Sequence, residues 1–406
     1  MNARYDCFCK LTDLLGAQES LTEARRHLHQ FPELSFQEKS TAQWVGDKLQ
    51  AWGYQVTRNV GGHGLVATLK NGEGKGIALR ADMDALPIQE ETQKPYASQH
   101  AGTMHACGHD GHTAMLLGAA QQLAKTKNFK GTVHLVFQPA EEAGKNSGAQ
   151  QMIADGLFER FPCDAIFGIH NHPGADVGTF MFGAGAFMSA SDTCYIKVQG
   201  KGGHAAMPHL TKDPVAAAGM CILALQTLIS RQLDPFDQAV ISLTKLEAGS
   251  AFNVIPATAT IGGTLRTMNA ETRLRMIAEI ETTAKNAAAT LGCNVAMELR
   301  PGYPPTLNHE SDALFARDII TDMLGADGLE TSMTPVMGAE DFSFMLEKKP
   351  GAYIWLGAGL QSENLHSPHF DFNDDLLPIG ASFWVQLAQS KLAINISAQG
   401  QRRPAP

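Results

Sequence analysis

The chain has 406 residues, 44% of them hydrophobic, and a formal net charge of −9. Since a single hydrophobic core rarely grows beyond about 250–300 residues, this length favours two domains. The acidic balance argues against nucleic acid as a general partner, and the lack of an apolar run of about 20 residues argues against a membrane-spanning segment.

Cysteine usage and the amino terminus bear on the cellular compartment. Seven cysteines are scattered along the chain, an odd number that does not resemble a disulfide framework. Residues 1–15 carry several charges and no apolar signal core. We therefore expect a reduced, cytoplasmic protein.

The first part of the chain alternates helical and strand patterns. Helices are predicted within residues 21–53, and short apolar runs follow at residues 77–80, 132–137 and 165–169, separated by helix-length stretches. This pattern is typical of an α/β fold with a mostly parallel sheet flanked by helices on both faces.

Polar side chains follow each of these apolar runs. They are Asp82, Asp84, Glu141, Glu142 and His170. Ligands of parallel sheets bind beyond the carboxyl ends of the strands. The sequence therefore predicts that these five residues share one site.

The order of predicted strands and helices changes between residues 190 and 299. Predicted elements are a strand at 193–199, a helix at 213–231, strands at 239–246 and 257–267, a helix at 271–291 and a strand at 294–299. The order β-α-β-β-α-β is that of a ferredoxin-like α+β domain. We expect residues 189–299 to form an inserted domain that acts in dimerisation or as a lid.

The α/β pattern then resumes. It predicts a helix at 311–324, a strand at 352–356, a helix at 377–394 and a frayed tail at 399–406. Residues 1–188 and 300–406 are therefore predicted to form one discontinuous catalytic domain that binds metal.

Residues 105–112 read His-Ala-Cys-Gly-His-Asp-Gly-His. Thiols and imidazoles are ligands that a borderline-soft cation such as zinc takes, and glycine lets the backbone bend so that Cys107 and His109 point the same way. Either residue alone is more often structural, since a buried cysteine behaves as a small hydrophobe. The cluster as a whole predicts a divalent metal site.

Glu141 and Glu142 come after an apolar strand and a proline. Adjacent acids are usually a solvated turn, but here they fall at a predicted sheet end. Beside a cation, one carboxylate could bind the metal while the other stays free as a base. The spacing does not assign these two roles.

Further histidines are candidate ligands. One of His170 and His172 is expected to reach the site, since both follow directly after a predicted strand. His366 and His369 are candidates for a final ligand near the carboxyl terminus, although a lone histidine is more often structural.

The predicted inserted domain has polar residues of its own. A glycine-rich loop at 200–203 leads to His204, and it could be only a turn; a phosphate cradle is a poor fit because no Gly-Lys-Ser/Thr opens the next helix. Asn253 and Arg266 lie at the edges of predicted strands. The arginine fork matches a carboxylate.

Taken together, these motifs resemble the metallo-aminoacylase and carboxypeptidase family. The likeness is greatest to the branch of hippurate hydrolase, N-acyl-amino-acid amidohydrolases and plant indole-acetyl-amino-acid hydrolases. Matching segments cover nearly the whole chain, at residues 27–34, 80–87, 105–112, 138–142, 252–256, 337–342 and 365–368.

The resemblance implies a site with two divalent metal ions. Its implied ligands are Cys107, His109, Glu142, His170 and His366, with the thiolate near or between the metals. Glu141 would be the general base. His204, Asn253 and Arg266 would serve the oxyanion and the substrate carboxylate, with His204 often supplied by the other subunit of a homodimer formed through the inserted domain, or of a tetramer.

The chain departs from the peptidase side of this family at Asp82. That side has a metal-binding histidine two residues before an orienting aspartate, which here is Asp84. We therefore expect Asp82 and Asp84 to support the ligands rather than bind metal. Zinc suits thiolate and imidazole, while manganese is frequent in similar enzymes.

The resemblance implies a metal-dependent amidohydrolase that cleaves small N-acyl-L-amino acids such as hippurate. A dipeptidase or carboxypeptidase is the first alternative, since it shares the chemistry. A metal- or peptide-binding protein without catalysis is the second, and the presence of both Glu141 and His204 argues against it.

Overall fold

The computed structural model describes Leu14, residues 16–330 and residues 333–393. These residues form two compact units. One contains the described residues up to Ala184, Asn308–Met333 and those from Phe344 onward, and the other contains Gly185–Leu307 and Thr334–Ser343. The predicted tail at 399–406 and the predicted end of the last helix at residue 394 lie outside the described residues.

The strands in chain order are β1 (Gln55–Arg58), β2 (Leu65–Asn71), β3 (Gly76–Asp82), β4 (Gly131–Gln138), β5 (Ala165–Pro173), β6 (Phe180–Met181), β7 (Gly185–Met188), β8 (Ala190–Gln199), β9 (Gly203–His204), β10 (Ala239–Ala248), β11 (Val254–Ile255), β12 (Thr258–Thr267), β13 (Asn294–Pro301), β14 (Thr306–Asn308), β15 (Leu329–Glu330) and β16 (Gly351–Gly359).

The α-helices are α1 (Gln18–Gln30), α2 (Lys39–Ala51), α3 (His109–Thr126), α4 (Gly148–Ala154), α5 (Leu157–Arg160), α6 (Pro214–Arg231), α7 (Ala270–Ala289), α8 (Glu310–Leu324), α9 (Phe342–Leu346) and α10 (Leu376–Lys391). Short 3₁₀ turns lie at Glu141–Ala143, Pro208–Leu210 and Ala326–Gly328.

The first unit is built on a mixed sheet with strand order β1-β2-β4-β3-β5-β16-β6-β15. Its centre is parallel, since β3 pairs with β4 and β5, and β5 pairs with β16, in the same direction. Every residue of β3 is buried, as expected for a strand covered on both faces. The predicted α/β class with a mostly parallel sheet is confirmed.

The parallel centre determines where polar side chains collect. The carboxyl ends of β3, β4 and β5 lie at one edge of the sheet, and the chain leaves them at Asp82, Gln138 and Pro173. The candidate acids and histidines predicted from sequence follow or end these strands. The sheet therefore brings them to the same edge, where ligands of such folds bind.

The second unit contains a four-stranded antiparallel sheet with the order β10-β12-β8-β13. Its elements follow one another as β8, α6, β10, β12, α7 and β13, which is the split β-α-β arrangement of ferredoxin-like folds. Both helices begin at side-chain caps: Asp213 accepts from the amide of Val215 at 2.8 Å, and Asn269 from that of Thr272 at 2.7 Å.

Helix α6 has a strongly apolar composition. Among the described residues, it is the one helix that is long and apolar enough to cross a membrane. Its Ala217, Cys221, Leu225 and Leu228 are buried against the sheet and α7, however. Packing accounts for this face only, since other apolar residues of α6, such as Leu223, are exposed.

Candidate metal centre

The turn before α3 determines how the Cys-Gly-His segment presents its side chains. Gly108 has φ 94° and ψ 13°, a left-handed conformation that favours glycine. A Cβ at this position would also collide with the side chain of Asn171. The glycine therefore lets the chain reverse tightly between Cys107 and His109, the first residue of α3.

Cys107 lies at the centre of two groups of possible ligands. Its Sγ is 3.4 Å from His170 Nε2, and the ligand atoms of Cys107, His109 and His170 all lie within 4.8 Å of one another. Cys107 also forms such a group with Glu142 and His366, whose Oε1 and Nε2 atoms are 3.1 Å apart. The thiol is thus common to both groups.

Glu141 lies beside these groups. It is buried, and its carboxylate lies within 4.8 Å of ligand atoms of His109 and Glu142. The backbone of the pair is held by Asp84, whose two oxygens accept the amides of Glu141 and Glu142 at 3.0 Å each. The two acids thus lie beside the possible metal ligands rather than on a solvated turn.

The orientation of His109 fits a metal ligand. Its Nδ1 lies 2.9 Å from the backbone oxygen of Asp84, where Nδ1–H donates. Its Nε2 is buried and has no hydrogen-bond partner within the described part of the chain. Ligating histidines commonly donate their other ring N–H to a carbonyl or carboxylate in this way.

The protonation chemistry of two other candidates also fits a cation. Burial lowers the pKa of His170 well below its ordinary value, so its ring is neutral and able to bind metal. Burial raises the pKa of the Cys107 thiol. A thiolate at this position therefore needs a positive charge beside it, and a divalent ion provides one.

Asp82 is engaged by other side chains. Its oxygens accept from Arg80 Nη1 at 2.7 Å and from His112 Nδ1 at 2.6 Å, while His109 Nε2 is 3.7 Å away. Burial opposes its ionisation, but the charges of Arg80, His109 and His112 outweigh burial and hold its pKa well below the ordinary value. This geometry suits a residue that supports ligands.

Comparisons with known proteins agree with this chemistry. Residues 78–390 match the model of peptidase family M20/M25/M40. The hippurate hydrolase of Campylobacter jejuni is 42% identical over 93% of this chain and 98% of that protein. The chain belongs to peptidase family M20/M25/M40.

Other members of the M20 family extend the likeness. The IAA-amino acid hydrolase ILR1-like 4 of Arabidopsis thaliana is 39% identical over 90% of this chain and 84% of that protein. The crystal structure of Bacillus subtilis YXEP protein, described as a dinuclear metal binding peptidase, superposes with a TM-score of 0.82 at 34% identity, covering 93% of this chain and 99% of that one. The predicted enzyme class, a metal-dependent hydrolase acting on amides, is confirmed.

The structure separates histidines that the sequence left as alternatives. His170 lies against Cys107, whereas His172 stacks on Trp355 with ring centroids 4.2 Å apart. His366 and His369 are about equally exposed, but His366 reaches Glu142 whereas His369 lies 3.5 Å from Glu91. Long-range partners make these distinctions, and the sequence spacing alone does not contain them.

Sequence reasoning assigned no role to His112 and Asn171. His112 is three residues after His109 on α3, so both rings lie on one helix face. Its Nδ1 lies 2.6 Å from Asp82, and its Nε2 lies 2.7 Å from Asn171 Oδ1. The i, i+3 spacing was the available signal for this link between α3, β3 and β5.

The residues predicted for substrate binding lie in the second unit. His204 pairs with Val254 across β9 and β11, and the amide of Ala205 donates to the backbone oxygen of Asn253 at 3.1 Å. His204 and Asn253 are thus neighbours on an exposed surface. Arg266 lies on β12, where burial lowers its pKa.

Proposed function

We propose that this M20 enzyme hydrolyses N-acyl-L-amino acids to a carboxylic acid and a free amino acid. The observation that carries the proposal is the position of Cys107 in two groups of possible ligands, one buried and one partly exposed, with the Glu141 carboxylate beside them. The substrate class is supported by relatives named for hippurate, indole-acetyl-amino-acid and N-acetyl-L-cysteine hydrolysis, at 38–42% identity.

The proposed cofactor is a pair of zinc or manganese ions. Cys107, His109, Glu142, His170 and His366 would hold them, a donor set whose thiolate and imidazoles suit zinc and whose carboxylate also suits manganese. When bound, these ions would polarise the scissile carbonyl and lower the pKa of a water molecule.

The proposed proton carrier is Glu141. Its buried carboxylate takes the proton of the attacking water and returns it to the departing amine. His204 donates to the developing oxyanion, a contribution of about 3–4 kcal/mol for a well-placed donor. Asn253 and Arg266 bind the α-carboxylate of the amino-acid part, for which an arginine fork is well suited.

The proposed assembly is a homodimer formed through residues 189–299, or a tetramer built from it. Support comes from apolar side chains exposed on the second unit, among them Leu223 on α6 and Leu246 on the sheet-edge strand β10. Such a dimer could supply His204 to the partner's site. A cytoplasmic location is proposed because the described cysteines are all free and buried.

A dipeptidase or carboxypeptidase is the second candidate. It is favoured by the thermostable carboxypeptidase 1 of Saccharolobus solfataricus, which is 35% identical over 95% of this chain and 97% of that protein. The chemistry is shared, and the difference lies in tolerance for a free amino group on the acyl side. A binding protein without catalysis would need Glu141 to have no function.

The test is turnover by purified protein loaded with zinc or with manganese. Hippurate, N-acetyl and indole-acetyl amino acids are compared with the unblocked dipeptide Gly-Phe. We expect a kcat/KM at least tenfold higher for a blocked substrate. Faster cleavage of Gly-Phe would select the dipeptidase, and bound metal without turnover of any substrate would select the binding protein.

A further inference from the structure

The turn that carries Glu141 and Glu142 has an unusual backbone. Ala140 adopts a left-handed conformation with φ 50° and ψ 47°, and a 3₁₀ turn follows at Glu141–Ala143. A left-handed residue next to right-handed ones points successive backbone N–H groups to one side, which creates a concave site for anions. In this protein, side-chain carboxylates fill that site.

Two buried acids accept the three consecutive amides of this turn. Glu38 Oε1 accepts the amide of Ala140 at 2.8 Å, and Asp84 accepts those of Glu141 and Glu142. Glu38 is fully buried and stands at the start of α2, far from the turn in sequence. The same Oε1 accepts the amide of Phe36 at 2.9 Å, which fixes the carboxylate on its own loop.

From this arrangement we infer that Glu38 is a positioning residue for residues 140–143, the catalytic turn. By binding the amide of Ala140, it holds the left-handed conformation that points Glu141 and Glu142 towards the groups of possible metal ligands. The inference rests on the proposed roles of these two acids. Asp84 is shared with His109, through its backbone oxygen. Among the hydrogen bonds and ion pairs of the described residues, Glu38 forms none with a proposed ligand, so its effect on the ligands passes through the backbone.

The environment of the Glu38 carboxylate supports a role beyond packing. Burial and the neighbouring charge of Asp84 raise the pKa of Glu38 to about 7. Its Oε2 is buried and has no hydrogen-bond partner among the residues described. A core position that served only packing would be filled more favourably by an apolar side chain, so the retained acid is explained by the amides that it accepts.

The matched control is Glu33 in the same segment. Its two oxygens accept the amides of Ser40 and Thr41 at 3.1 and 2.8 Å, so it also binds two backbone N–H groups at the start of α2. It makes no such bond to residues 140–142 among the hydrogen bonds described. Glu33→Ala therefore removes comparable bonds without releasing the catalytic turn.

The experiment compares Glu38→Ala, Glu38→Gln and Glu33→Ala in the full-length, metal-loaded protein. Glu38→Ala should lower kcat 10- to 100-fold, the range for residues that orient metal ligands, with KM changed less than threefold. Glu38→Gln, whose carbonyl oxygen can still accept both amides, should keep kcat within threefold of the wild type, as should Glu33→Ala.

Hydrogen exchange of peptides that cover residues 140–142 provides a readout independent of substrate. Faster exchange in Glu38→Ala, restored by Glu38→Gln and absent in Glu33→Ala, is expected even if the wild type cleaves no N-acyl amino acid, so the two proposals can fail separately. Unchanged exchange, or an equal loss of kcat in Glu33→Ala, would overturn the inference. If Glu38→Ala does not fold, Glu38→Asp, whose shorter side chain withdraws from Ala140, must show the same faster exchange.

Discussion

Cys107 Sγ lies 3.4 Å from His170 Nε2, and the same sulfur forms a second ligand group with Glu142 and His366. One side chain thus joins a residue at the end of β5 to a turn after β4 and to a loop near the carboxyl terminus. If two ions bind here, the thiolate is the one protein atom that belongs to both groups.

This relationship predicts the effect of Cys107→Ser. Since a serine hydroxyl is a much poorer ligand than a thiolate, occupancy of both ions should fall, from about two to well below one per chain after dialysis against a weak chelator. Elemental analysis by mass spectrometry measures it. Cys163→Ser is the control, because Cys163 is also buried and belongs to none of the described ligand groups; equal metal loss in both variants would refute the shared-ligand arrangement.

Gly108→Ala should reduce both stability and metal binding. The left-handed backbone costs alanine about 1–2 kcal/mol, and the added Cβ would also collide with the Asn171 side chain. Gly53 offers a matched control, since it has φ 89° and open space around its Cβ position. Chemical denaturation should show the backbone cost alone in Gly53→Ala and a larger loss of stability in Gly108→Ala. Metal titration should show weaker binding only in Gly108→Ala.

The pH dependence of stability should reflect His29. Burial alone would lower its pKa, but hydrogen bonds to Asp110 and Glu90 raise it to about 9 from an ordinary 6.5. The folded state therefore holds this proton more tightly than the unfolded chain. The resulting stabilisation, roughly 3 kcal/mol for such a shift, is fully present below pH 6.5 and is lost as the pH rises towards 9.

Urea unfolding of wild type and His29→Gln between pH 6 and 9 tests this prediction. The unfolding free energy of the wild type should decline over that interval, and most of this decline should be absent in His29→Gln. His27→Gln is the control. Burial lowers the pKa of His27, so the effect of His27 on the unfolding free energy is confined to pH values below about 6.5. A decline of the same size in wild type and His29→Gln would show that the buried pair is not its source.

Local sequence patterns were sufficient to predict the framework of this protein. The apolar runs at 77–80, 132–137 and 165–169 lie within β3, β4 and β5. They are recognisable because parallel strands buried on both faces consist of nearly unbroken runs of apolar residues. The parallel topology then explains why acids and histidines that are distant in sequence share one edge. The thiol and imidazoles at 105–112 were recognisable because no packing requirement accounts for such a cluster.

Other parts of the site depend on contacts that no local pattern contains. His170 and His172 differ in role because Trp355, from β16, covers one of them. Glu38 resembles any helix-start acid until the fold brings Ala140 to it. The pairing of Asp82 with His112 likewise requires α3 to pack on β3, whereas Arg80 lies two residues away on the same strand.

The central claim is tested most directly by the turnover and metal content of Glu141→Gln. Glutamine keeps the size of the side chain but can carry no proton from water to the leaving amine. We predict that the variant binds as much zinc or manganese as the wild type. Its kcat on the best N-acyl amino acid should fall by about 10²–10⁴-fold, the range for a lost general base. A fully metal-loaded Glu141→Gln protein with kcat within tenfold of the wild type would contradict the account.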